Sequence, residues 1–154
     1  MTKSKKGLRV TFNAPLVLAF ALLCTLVTIL DQLTGRKSIS MIFSTYASSF
    51  SDPMTYVRLF THVLGHASFA HLVSNMAYIL LLGPALEEKY GAKKLLLVIA
   101  VTAVITALVH NVLFPGTRLL GASGVVFAFI LLTSFTEFRE GILRVRSCGH
   151  EDPY

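Results

Sequence analysis

Residues 58–91 read "RLFTHVLGHASFAHLVSNMAYILLLGPALEEKYG". A head carrying His62, His66 and His71 runs into a long apolar stretch that closes on Glu87, Glu88 and Lys89. Residues 66–86 have the length of a bilayer-crossing helix, which needs roughly 20 mostly apolar residues. His71 and Asn75 are four apart and so share one helix face. Polar side chains inside an apolar span are costly in lipid and by default mark a functional site. They also serve as hydrogen-bonding glue between neighbouring helices, and spacing alone leaves both readings open.

The rest of the chain fits a membrane environment. Of 154 residues, 54% are hydrophobic and 14% charged, with a mean hydropathy of +0.68. A soluble domain this small leaves too much of itself exposed to hide that apolar surface, so the excess faces lipid. Three further apolar runs lie at 14–30, about 95–113 and 123–138. The last is strongly apolar only over 125–135. At about 1.5 Å per residue, 123–138 covers roughly 22–24 Å, short of the ~30 Å hydrocarbon core. One end therefore starts below the membrane surface, where protein or a wet cavity must surround it. The expected architecture is an all-α polytopic membrane helix bundle with four transmembrane helices. Residues 1–13 form an N-terminal segment, 14–138 the membrane domain and 139–154 a polar tail.

Charge sets the expected orientation. With a cytoplasmic N-terminus, Lys3, Lys5, Lys6, Arg9, Lys89, Lys93, Lys94, Arg139, Arg144 and Arg146 lie inside, and Arg36, Lys37, Arg58 and Arg118 outside. Ten against four fits the positive-inside rule. The chain thus reads as a multi-pass protein of the cell (inner) membrane, in contact with lipid. The basic residues sit at the ends of apolar runs and form no stripe, so nucleic acid is not the partner. The opening "MTKSKKGLRV" resembles a signal-peptide n-region, but no small-residue cleavage site follows, and the first apolar run reads as a retained helix. Residues 34–57 mix Met41, Ile42, Phe43, Tyr46 and Phe50 with serines, and read as an interfacial element lying on the membrane. Cys24 and Cys148 are too differently placed to suggest a disulfide.

In this arrangement His66, His71, Asn75 and Ser123 share one leaflet. His62 and His66 have the i, i+4 spacing of zinc ligands, with His71 as a third. No H-E-x-x-H is present, however, and Glu87 lies at the other membrane face, so neither a metal nor a cofactor is expected. Ser123 sits in "LLGASGVVFA", residues 119–128. The G-x-S-x-G elbow is not met, because Val125 occupies the last position. Taken alone, Ser123 reads as a cap or a packing residue among Gly121, Ala122 and Gly124. Combined with its place at a helix start, where N–H groups and the positive dipole end favour an oxyanion, it becomes part of an acyl-transfer site. His71 and Asn75, on the facing helix, carry side-chain donors of the kind such a site would use.

The ordered motifs resemble those of the rhomboid intramembrane serine proteases. The pattern H-x-x-x-x-H-x-x-x-N is met by His66, His71 and Asn75, and an Arg with Thr-His by Arg58, Thr61 and His62. G-x-x-x-E-x-x-x-G is met by Gly83, Glu87 and Gly91, and G-x-S-G by Gly121, Ala122, Ser123 and Gly124. The resemblance implies that Ser123 is the nucleophile and that His71, Asn75 and the Ser123 backbone N–H form the oxyanion hole. Arg58, His62, His66, Gly83, Glu87, Gly91, Gly121 and Gly124 are then structural. It implies single-span transmembrane proteins as substrates and a six-helix core, of which four helices are here. Val57 stands where many members carry a tryptophan.

The family's general base is a histidine on the sixth core helix, within G-x-x-x-A-H. After Glu137 this sequence reads "FREGILRVRSCGHEDPY", without that pattern. His150 falls in the cytoplasmic tail, His110 at a helix end, and His71 is assigned to the oxyanion. The expectation is therefore a truncated or frameshifted chain, unstable and with little or no protease activity alone. The alternatives are a non-catalytic relative that binds transmembrane clients and an unrelated four-helix subunit. The sequence does not set the oligomeric state.

Overall fold

The computed structural model describes residues 14–148, with the backbone alone at 137 and 139–148. Residues 1–13 and 149–154 lie outside it, and with them the N-terminal basic cluster and His150. Six α-helices follow one another: α1 (Pro15–Leu33), α2 (Lys37–Met41), α3 (Pro53–Thr61), α4 (Phe69–Tyr90), α5 (Ala92–Leu113) and α6 (Ser123–Cys148). A single 3-10 turn, His62–Leu64, joins α3 to the segment before α4. Among the described residues there is no strand, only an isolated antiparallel bridge between Thr45 and Leu119.

Helices α1, α4 and α5 are long and apolar enough to cross a membrane. The apolar part of α6, Ser123–Thr136, is shorter, about 21 Å at the usual rise. Leu22, Leu26, Leu81, Leu97 and Val112 are exposed on the outside of the bundle, as lipid-facing side chains are. The chain is an integral membrane protein built as an all-α bundle. The helix of α6 continues through the polar segment to Cys148. That segment lacks an apolar run, but Glu, Arg and Leu are good helix formers and prolong a helix already under way.

The ends of the helices are fixed by specific groups. Pro15 opens α1, where its missing N–H is no loss. The next donors, Leu16 N–H and Val17 N–H, reach the two carboxylate oxygens of Glu87 at 3.0 and 2.9 Å. The N-terminus of α1 thus lies beside the C-terminal end of α4, and the two helices run antiparallel. Gly83, one turn earlier, permits this approach: a Cβ there would meet Val17 Cγ2 at 2.7 Å and Phe129 at 3.3 Å. Gly91, at φ +82, ends α4 and lets α5 begin at once.

Helix α6 runs parallel to α4. It meets α4 beside His71 at its start, beside Gly83 in the middle, and through the Tyr90–Thr136 hydroxyl pair further on. Gly124 brings α6 close to Thr106 of α5, where a Cβ would stand 2.9 Å from Thr106 Cγ2. Val17, Phe20, Ile79, Ile99, Val125 and Phe129 fill the shared core. In consequence α4 and α6 start at one end of the bundle, together with the segments 34–68 and 114–122.

Candidate active site

Each candidate side chain sits in the first turns of a helix. Ser68 accepts a hydrogen bond from the backbone N–H of His71 at 3.1 Å, which fixes the start of α4. Asn75 follows one turn later and is buried. Ser123 opens α6 and is exposed. The first N–H groups of a helix have no intrahelical partner, and the carbonyl of Leu119, four residues before Ser123, is already taken by the N–H of Thr45 at 2.9 Å.

These helix starts meet at Gly121. Its φ of +118 is a backbone that L side chains rarely adopt. A Cβ there would lie 2.7 Å from His71 Cε1, 3.0 Å from His71 Nε2 and 3.8 Å from Asn75 Nδ2. The imidazole and the amide therefore stand against the backbone two residues ahead of Ser123. Asn75 Nδ2 is buried and finds no partner among the described residues, which leaves a donor pair of hydrogens unused.

The other two histidines are held behind this group. His62 donates from Nε2 to the carbonyl of Ala103 at 3.0 Å, and its own carbonyl accepts from Gly121 N–H at 2.9 Å. It thus ties the turn before Ser123 to α5. His66 donates from Nδ1 to the carbonyl of Leu64 at 3.2 Å, and its ring stands edge-on to His71 with centroids 5.1 Å apart. Burial pushes His66 down to about 4, the Leu64 carbonyl opposing and His71 adding to the shift. His62 is lowered too, chiefly by burial. The two rings turn to different partners, and among the described residues no three His, Cys, Asp or Glu side chains gather as a metal would need. His110 lies at the end of α5, bonded to Thr117 Oγ1 at 3.2 Å and stacked on Phe114.

The segment 34–57, expected to lie on the membrane, is tied to the rest of the bundle by specific contacts. Thr45 and Leu119 exchange both main-chain hydrogen bonds at 2.9 Å, and Asn111 donates to Thr45 Oγ1 at 3.0 Å. Tyr46 lies between two guanidinium groups, Arg118 at 4.4 Å and Arg58 at 4.9 Å from its ring centroid. Arg118 also donates to the carbonyl of Ser40 at 2.6 Å. Arg58 donates to Met41 O at 2.9 Å and pairs with Asp52, while Thr61 donates to Ile42 O. Gly65 packs so tightly on Phe43 that a Cβ would fall 2.2 Å from its carbonyl oxygen. The sequence marks Tyr46 only as an interfacial aromatic and Arg118 only as an outer cation, and it does not mark Gly65 or Asn111, because partners so far apart leave no spacing to read.

A polytopic helix bundle with a serine, a histidine and an asparagine gathered at the starts of two parallel helices is thus the class of protein in hand. The model of the rhomboid domain matches residues 53–145, and the chain belongs to the rhomboid family. It is similar to the rhomboid protease GlpG of Klebsiella pneumoniae, with 31% identity over 116 residues, 75% of this chain and 41% of that one. The rhomboid protease GlpG of Haemophilus influenzae is 30% identical over 117 residues, 75% of this chain and 59% of the relative. Rhomboid-like protease 3 of Toxoplasma gondii is 31% identical over 96 residues, 62% of this chain and 36% of its own. The chain spans between about two fifths and three fifths of the length of the GlpG relatives it matches. The family match runs through the first residues of the polar segment that follows Phe138.

Proposed function

We propose that this chain carries the nucleophile and the oxyanion hole of an intramembrane serine endopeptidase acting on transmembrane segments of single-span membrane proteins. What supports this reading most directly is the meeting at Gly121, where His71 Nε2 and the unpartnered Asn75 Nδ2 stand beside the turn that delivers Ser123. Ser123 Oγ attacks the scissile carbonyl carbon, and its proton passes to a base. The oxygen, now negative, accepts hydrogen bonds from the Ser123 N–H, Asn75 and His71. Collapse of the tetrahedral intermediate releases the amine, which takes up the proton.

The base is the part these residues do not supply. His62 and His66 are buried and bound to carbonyls, His110 is engaged by Thr117, and His71 is committed to the oxyanion. By resemblance it is a histidine of the sixth core helix. The same reading takes 14–138 as the membrane domain, in a cell membrane with the N-terminus cytoplasmic.

The test is labelling of the detergent-solubilised chain with a fluorophosphonate probe. A serine without a base is a weak nucleophile at neutral pH. Labelling should therefore be slow at pH 7 and rise about tenfold per pH unit, without an inflection near neutrality. Ser123→Ala should abolish it, and Asn75→Ala should slow it by about 10²-fold. An inflection near pH 6–7 would place a working base within the chain. Labelling that survives Ser123→Ala would remove the nucleophile, and the non-catalytic client-binding reading would take its place.

A further inference from the structure

The surface around the start of α6 is cationic, and its carboxylates are already used. The segments 34–68 and 114–122 hold Arg36, Lys37, Arg58 and Arg118 against one carboxylate, Asp52. Arg58 takes Asp52 in an ion pair at 3.1 Å. Asp31, near the end of α1, is buried and accepts from Ile39 N–H at 3.0 Å; counted with Asp52, it leaves four cations against two carboxylates. Arg36, Lys37 and Arg118 remain, all exposed.

These three gather on one short element. Arg36 immediately precedes α2, Lys37 is its first residue, and Arg118 donates to Ser40 O near its end. Helix α2 is about 7–8 Å long, so the backbone that carries Arg36 and Lys37 and the carbonyl that holds Arg118 lie within about one Debye length at physiological salt, and the three side chains belong to one positive patch. The patch is also fixed to the candidate site. Arg118 is stacked on Tyr46 and lies in the turn that leads into Ser123, next to the Thr45–Leu119 bridge.

We propose that this patch receives an acidic segment flanking the transmembrane helix of a client protein, and so selects clients by the charge of the flank on the site side. The proposal rests on the client-binding part of the function proposed above. A protein flank is favoured over a lipid headgroup because the patch is tied to the turn carrying Ser123, the point a client must reach.

The test uses the 154-residue chain in phosphatidylcholine vesicles with two synthetic single-span peptides. One carries Asp-Glu-Asp-Glu on both flanks and the other Asn-Gln-Asn-Gln, and binding is read by energy transfer. The acidic peptide should bind about three- to tenfold tighter at low salt, the difference fading at about 0.5 M. Arg36→Gln with Lys37→Gln should remove most of the preference. Arg36→Glu with Lys37→Glu should transfer it to a Lys-Arg-Lys-Arg peptide. Equal affinity for both flanks, or a preference indifferent to charge reversal, overturns the proposal while leaving the client-binding reading intact. A charge preference that appears only when the vesicles contain phosphatidylglycerol assigns the patch to lipid and also overturns it. If neither peptide binds, the client-binding reading itself fails.

Discussion

Gly121 joins the two helix starts, and a single methyl group tests the junction. Its backbone lies at φ +118, and an added Cβ would press on the His71 ring. Gly121→Ala is therefore strained locally and displaces the imidazole as well. Fluorophosphonate labelling at high pH should fall by about 10²-fold, the cost of losing an oxyanion donor, while the helical circular dichroism is retained. His66, behind His71, gives a pH dependence of stability. Its folded value is about 4 against about 6.5 in an unfolded chain. Protonation therefore favours unfolding: the stabilisation is complete above about pH 6.5 and is lost as pH falls towards about 4. Each unit of depression is worth roughly 1.4 kcal/mol. The melting temperature in detergent should drop between pH 7 and 4.5, and less steeply in His66→Gln. A pH profile unchanged by that substitution would assign the drop to other groups, His62 first.

At the scale of the helix, Glu87 holds α1 onto the bundle by capping its N-terminus from 70 residues away. A buried carboxylate accepting two N–H bonds at the positive end of a helix is well matched in charge and geometry. Glu87→Gln keeps one oxygen for those donors and should cost about 1–2 kcal/mol. Glu87→Leu leaves two buried donors unpaired and should cost about 2–5 kcal/mol, read as a lowered melting temperature in detergent. Equal losses for Gln and Leu would mean that the carboxylate fills space without capping. The motif containing Glu87 was legible in the sequence, and so was its place at the end of α4 opposite Ser123. Its work was not, because the partners are main-chain donors of Leu16 and Val17, which carry no signature in their side chains. Gly83 is similar: the residue is plain in the sequence, but Val17, which requires it to be a glycine, lies on another helix.

Across the whole molecule, the bundle was readable because lipid imposes a composition on every span. Runs at 14–30, 66–86 and 95–113 became α1, α4 and α5 with shifts of a few residues at their ends. His71, Asn75 and Ser123 fell at one end, as the helix count required. The tie between the segment 34–57 and the turn before Ser123 was not readable, since it consists of a two-bond bridge, an arginine stacked on a tyrosine and a bond from that arginine to a main-chain carbonyl. That tie makes a distinct prediction. Leu119 is held from one side by Thr45, and Gly121 from the other by the carbonyl of His62. Arg118 stacking on Tyr46 and bonding to Ser40 O keeps Thr45 in register with Leu119. Removing this clamp should loosen the turn without opening the helices, whose packing lies deeper in the bundle. In Arg118→Gln, amide hydrogen exchange over 119–123 should speed up about five- to thirtyfold, the effect of about 1–2 kcal/mol on a local opening. Exchange within α4 and α5 should stay as it was. Tyr46→Leu should do the same, and the double variant should be little worse than either single one, because the two side chains form one contact. Exchange that rises equally throughout the bundle would make the clamp part of global stability, and additive effects would mean that Arg118 and Tyr46 act separately.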